Sequence, residues 1–123
     1  MRAPSLLALL LLVGACAPKP EAPTAAAMPL DCSQSFAALT TQVVAQDLVP
    51  APEDPAEPYR FYSTPDGRAS YLITKAGAPG HPAVMMQRAV GADVVTTGCP
   101  YGDRAGYEQL HAYLDGLKTW RRK

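Results

Sequence analysis

The chain holds 123 residues with 11 basic and 11 acidic side chains, a formal net charge of zero that carries no functional message, and its one basic cluster, residues 118–123, is too small for nucleic-acid binding. That length supports one domain, burying roughly 60 to 65% of its unfolded surface, a size often helped by a crosslink. Three cysteines are available to make one, and two histidines leave little imidazole for metal or proton-transfer chemistry.

Met1 and Arg2 form a short positive segment, residues 6–13 an uninterrupted apolar run, and Gly14 and Ala15 the small residues that a signal peptidase needs. The run falls short of the roughly 20 residues that span hydrocarbon, which disfavours a permanent transmembrane helix. The stretch Leu12-Val13-Gly14-Ala15-Cys16 resembles the lipobox of bacterial lipoproteins. The resemblance covers the export segment alone. It implies that residues 1–15 are removed and that Cys16 becomes an acylated N-terminus, carrying a thioether-linked diacylglycerol and an amide-linked, palmitate-type chain. Each buried methylene adds about 0.8 kcal/mol of membrane affinity, so several chains anchor firmly where one does not. Ala17 stands where an aspartate tends to keep such lipoproteins on the inner membrane, and the resemblance therefore implies a periplasm-facing outer-membrane protein. Ala15-Cys16-Ala17 also reads as an Ala-x-Ala cleavage site, which would instead release a soluble periplasmic protein.

Loss of residues 1–15 removes Arg2 alone among the charged residues, leaving 10 basic against 11 acidic and a net charge of −1. With Cys16 acylated, Cys32 and Cys99 remain as an even pair in an oxidising compartment and are expected to bond. Closing that loop stabilises by about 4 kcal/mol in the chain-entropy treatment. A redox role would call for closely spaced cysteines with one activated at a helix start, so the structural bond is favoured.

Residues 16–29 are nearly all Ala, Pro, Lys, Glu and Thr, with Pro18, Pro20, Pro23 and Pro29 stiffening the segment into a tether. Residues 30–123 form the single domain. Asp31 as N-cap with Gln34 three positions on predicts a first helix from Cys32 to near Leu48. Its buried stripe is Phe36, Leu39, Thr40, Val43 and Val44, with Gln42 and Gln46 outward. Four prolines among residues 50–58 predict an exposed crossing loop. Glu53, Asp54 and Glu57 lie in that loop without the alternating ladder and central glycine of a calcium site, and read as solvated charge.

Residues 59–63 and 69–75 predict a hairpin around Thr64-Pro65-Asp66-Gly67. Pairing Thr64 with Arg68 would set Phe61 opposite Tyr71 and Tyr59 opposite Ile73 on the core face, leaving Arg60, Tyr62, Ser70 and Leu72 on an outer face that is either covered by the second helix or a binding surface. A loose turn over residues 76–82 leads to strands at 83–90 and 94–99, which complete a four-stranded antiparallel meander. Asp103 is the expected N-cap of a closing helix with Tyr107, Leu110, Leu114 and Leu117 on one stripe, widened by Tyr113 and Trp120. Lys118, Arg121, Arg122 and Lys123 complement its dipole. The fold expected is α+β, helix then meander then helix, packed as two layers.

Neither G-x-S-x-G nor S-x-x-K occurs, and His81 and His111 have no partner at metal-ligand spacing, so no catalytic residue, metal or cofactor is expected. The candidate binding surface is Arg60, Tyr62 and Leu72 with the basic end Lys118, Arg121 and Arg122. Those cations could meet an acidic partner or anionic headgroups, each charge being worth about 1 kcal/mol near such a surface. The functional expectation is an outer-membrane lipoprotein whose domain binds or braces an envelope protein or glycan. The alternative is a small secreted enzyme or inhibitor module.

Overall fold

A computed structural model describes residues 27–120, with side chains to residue 117. The export segment 1–15, Cys16, most of the tether, Arg121, Arg122 and Lys123, and the side chains of Lys118 and Trp120 lie outside the described residues. The elements run α1 (Phe36–Val44), β1 (Val49–Pro50), β2 (Tyr59–Ser63), β3 (Ala69–Thr74), β4 (Ala83–Val90), β5 (Asp93–Pro100) and α2 (Arg104–Trp120). The fold is α+β, and its sheet is five-stranded and antiparallel in the order β1-β2-β3-β4-β5.

The additional strand is β1, formed where the proline-rich loop was expected to run free. Val49 and Pro50 pair with Ser63 and Tyr62, and the Ala51 N–H donates to the Phe61 carbonyl at 2.9 Å. An edge strand tolerates Pro50 because only one of its sides must offer N–H groups.

The first helix starts later than expected. Asp31 accepts hydrogen bonds from the Ser33 N–H at 3.0 Å and the Ser33 hydroxyl at 2.6 Å, and so closes a separate turn that contains Cys32. Ser35 then takes an extended conformation and its hydroxyl oxygen caps the Ala38 N–H at 3.1 Å, so α1 opens at Phe36. It stops at Val44. Gln46 turns inward and not outward, accepting from the Met28 N–H at 3.3 Å and donating to the Val43 carbonyl.

The hairpin register differs by one residue from that expected. Asp66 accepts the Arg68 N–H at 3.0 Å and the Thr64 hydroxyl at 2.6 Å, which draws Arg68 into the turn, while Gly67 supplies φ of 71°. Thr64 consequently meets Ala69, its N–H donating to the Ala69 carbonyl at 2.9 Å. Tyr62 then pairs with Tyr71, Phe61 with Leu72, Arg60 with Ile73 and Tyr59 with Thr74. A shift of one residue exchanges the faces of a strand relative to its neighbour.

The helices lie on opposite faces of the sheet, so the domain has three layers where two were expected. Leu39 and Val43 of α1 pack with Ala69, Tyr71, Ile73, Val84, Met86 and Cys99. Leu110 and Leu114 of α2 pack with Leu72, Ala83 and Met85, which alternate with the first set along β3 and β4. Each Leu, Val, Ile or Met among them contributes roughly 1.5 to 3 kcal/mol when fully buried. The Cys32–Cys99 disulfide is formed, with 5.2 Å between Cα atoms, and joins the turn before α1 to the end of β5.

Asp103 caps α2 as expected, accepting the Gly106 N–H at 2.8 Å. The loop between β3 and β4 rests against this first turn, and a Cβ on Gly106 would lie 2.2 Å from the Gly80 nitrogen. Glycine at both positions lets two backbones touch.

Candidate functional site: a cationic cleft beside the first helix

Because α1 packs over β3 and β4, it leaves the outer part of the same sheet face open at β2. The result is a cleft of about 320 Å³. Its helical wall carries Thr40, Thr41 and Val44, and its sheet wall carries Arg60, Tyr62 and Lys75. The register explains the second wall. Arg60 pairs with Ile73, and the Lys75 N–H continues the ladder by donating to the Pro58 carbonyl at 2.7 Å. Strand alternation therefore places Arg60, Tyr62, Ile73 and Lys75 on one face.

Among the described residues, none that lines this cleft is acidic. The nearest carboxylate to Arg60 is Glu53 of the proline-rich loop, 3.8 Å from Nε, and both side chains are more than half exposed. Such a pair is screened and worth little. The hydroxyls of Thr40 and Thr41 both donate to the Ala37 carbonyl at 2.9 Å, so any further hydrogen bond they make is as acceptors. Donors on the facing wall are the guanidinium, the ammonium and the Tyr62 hydroxyl.

Of the surface expected from sequence, Arg60 and Tyr62 come together here. Leu72 does not, because it is 2% exposed and lies under α2 on the other face. The side chains of Lys118, Arg121 and Arg122 lie outside the described residues. Thr40, Thr41, Val44 and Lys75 were not singled out as a site. Val44 is expected inside but is 48% exposed, since α1 rests on Leu39 and Val43, with Phe36 partly buried beside them. A basic residue immediately after an apolar strand was the available signal for Lys75.

Two further hollows adjoin the sheet. One, of about 330 Å³, lies between the proline-rich loop and β2, includes Glu53 and Glu57, and shares Arg60 and Tyr62 with the cleft. The other, of about 190 Å³, lies between α2 and β2–β3 beside Phe61, Ser70 and Leu117. Tyr59 stacks on Tyr113 near it, with ring centroids 6.4 Å apart.

The histidines have local partners. Nδ1 of His81 lies 2.8 Å from the hydroxyl of buried Thr74, which also accepts the Ala83 N–H, and Nδ1 of His111 lies 3.0 Å from Asp115 one helical turn away. Among the described residues no group of three His, Cys, Asp or Glu side chains is placed to hold a metal, and no helix is long and apolar enough to cross a membrane. Burial pushes the phenols of Tyr59, Tyr71, Tyr101 and Tyr107 upward, and the Tyr71 hydroxyl donates to the Met28 carbonyl at 2.7 Å.

Comparison with protein-family models, curated proteins and solved structures gives no match. Fold and site together define a small, disulfide-closed α+β domain with an open cationic cleft.

Proposed function

We propose that this chain is an outer-membrane lipoprotein, anchored through acyl chains on Cys16, whose periplasmic domain binds another component of the cell envelope. The observation that carries the reading is the Cys32–Cys99 bond. A crosslink of this kind persists in an oxidising compartment, and the Leu12-Val13-Gly14-Ala15-Cys16 segment would deliver the chain to one. The cleft beside α1 supports binding in preference to catalysis, because it holds cations and hydroxyls without a paired base or nucleophile. The proline-rich tether would hold the domain away from the bilayer with that cleft accessible.

The anchor is tested by replacing Cys16 with Ser in the full-length chain. The wild type is expected in the outer-membrane fraction with acyl mass on Cys16, and C16S in the soluble periplasm. Unchanged membrane fractionation, with no acyl mass on the wild type, would remove the lipoprotein reading.

A further inference from the structure

Arg60 and Lys75 are diagonal neighbours on one face of a two-strand ladder, Arg60 opposite Ile73 and Lys75 opposite Pro58. Diagonal positions in such a ladder are about 7 to 8 Å apart, close enough for two like charges to disfavour each other. Lys75 makes no ion pair with a described residue, and Arg60 has only the exposed, 3.8 Å contact with Glu53. A pair of cations beside a cleft whose described lining holds no carboxylate is complementary to an anion, with exposed Glu53 as a competitor for Arg60 alone.

The other walls narrow the class of anion. The cleft, at about 320 Å³, lies at the small end of ligand sites, which run from about 300 to 1,000 Å³, and so suits a small molecule or a chain end. Thr40 and Thr41 spend their protons on Ala37 and present lone pairs, which call for N–H donors on the ligand. Val44 adds an exposed apolar patch beside them. A carboxylate, an amide N–H and an apolar side chain on adjacent atoms describe the carboxyl end of a peptide. A phosphate group has the charge but would leave the threonine and valine side of the cleft unmatched.

We propose that this cleft binds the free carboxyl end of a short peptide. Arg60 and Lys75 share the carboxylate, Thr40 and Thr41 accept its last amide N–H, and Val44 covers its last side chain. This deepens the reading of the domain as an envelope-binding module, and it names the chemistry the partner presents. Glu53, which sits against Arg60, is a weak competitor for the same guanidinium.

The test is an amide chemical-shift titration of the full-length protein in detergent micelles. Its probes are N-acetyl-alanyl-alanine, the same dipeptide as its C-terminal amide, and inorganic phosphate. The free acid is expected to saturate shifts at Thr41, Val44, Arg60 and Lys75. Because a hydrogen bond to a charged group contributes about 1.5 to 3 kcal/mol, the amide should bind about tenfold more weakly or worse. R60Q and K75Q should each weaken the acid by a similar factor while shifts remote from the cleft stay in place, and E53Q should tighten it. Equal binding of acid and amide, phosphate competing as strongly as the dipeptide, or no shifts at the cleft would overturn the proposal. Envelope pull-downs with wild type and R60Q separate the two levels. A partner captured equally by both overturns the cleft and leaves the binding reading in place, whereas no specific partner for the wild type counts against that reading itself.

Discussion

Asp66 determines more of this fold than its exposed position suggests. Its carboxylate accepts from the Thr64 hydroxyl and from the Arg68 N–H, and the first of these bonds is the larger cause of a carboxyl held below its ordinary value of 3.8. A carboxyl whose folded value is depressed contributes stability that is present above the unfolded value and lost as pH falls through the folded one. Denaturation midpoints measured from pH 6 downward should therefore decline below about pH 4. D66N retains a side-chain acceptor but cannot titrate, so its acid decline should be shallower than that of the wild type. Identical acid limbs would show that the turn does not depend on the ionised group. The same residue explains why the pairing differed from expectation. Proline, aspartate and glycine announce a turn, but whether Arg68 belongs to the turn or to the ladder is settled by one hydrogen bond that no propensity encodes.

Helix α2 shows how packing overrides an element's own preference. Gly106 sits in its first turn, where glycine costs about 1 kcal/mol relative to alanine, so propensity alone predicts that G106A stabilises. The added Cβ, however, would lie 2.2 Å from the Gly80 backbone nitrogen, and neither partner is a flexible side-chain tip. Overpacking of this kind costs about 1 to 3 kcal/mol, and G106A should have a lower denaturation midpoint than the wild type. A higher midpoint would mean that the loop carrying Gly80 moves aside without loss. Elements β2 to β5, and α2 with its Asp103 cap, were legible because strand runs, turn residues and a helical stripe all agreed along the chain. The start of α1 was not, because Asp31 and Ser35 are both good caps and the choice depends on Cys32 being drawn to β5.

At the scale of the molecule, the placement of the helices was the reading that failed, and it failed for a readable reason. Ala83-Val84-Met85-Met86 is apolar without alternation and all four are buried, which marks a strand covered on both faces. Two helices on one face would leave that signal without a use and Leu72 on a free surface, whereas α2 covers Leu72. The disulfide was legible from cysteine parity and the expected oxidising compartment, and it ties the turn before α1 to the end of β5. Loss of a crosslink at a separation of 67 residues should cost about 4 kcal/mol, so C32S/C99S should unfold at a markedly lower denaturant concentration than the wild type, with near-native far-ultraviolet dichroism before the transition. A midpoint close to that of the wild type would place the stability in the two apolar layers instead.

The position of Cys32 also decides how the domain would carry mechanical load. A pull on the segment that precedes it passes through the covalent bond into Cys99 and so into β5, without first peeling α1 from the sheet. If a partner held in the α1 cleft resists that pull, the force crosses from β5 through β4 and β3 to Arg60 on β2, spread over the ladders that join them. Where the pull instead acts on the chain on either side of the bond, outside the loop, the crosslink withholds about 230 Å of contour from extension. Stretched between envelope layers, the domain would behave as a short stiff link and not as a spring.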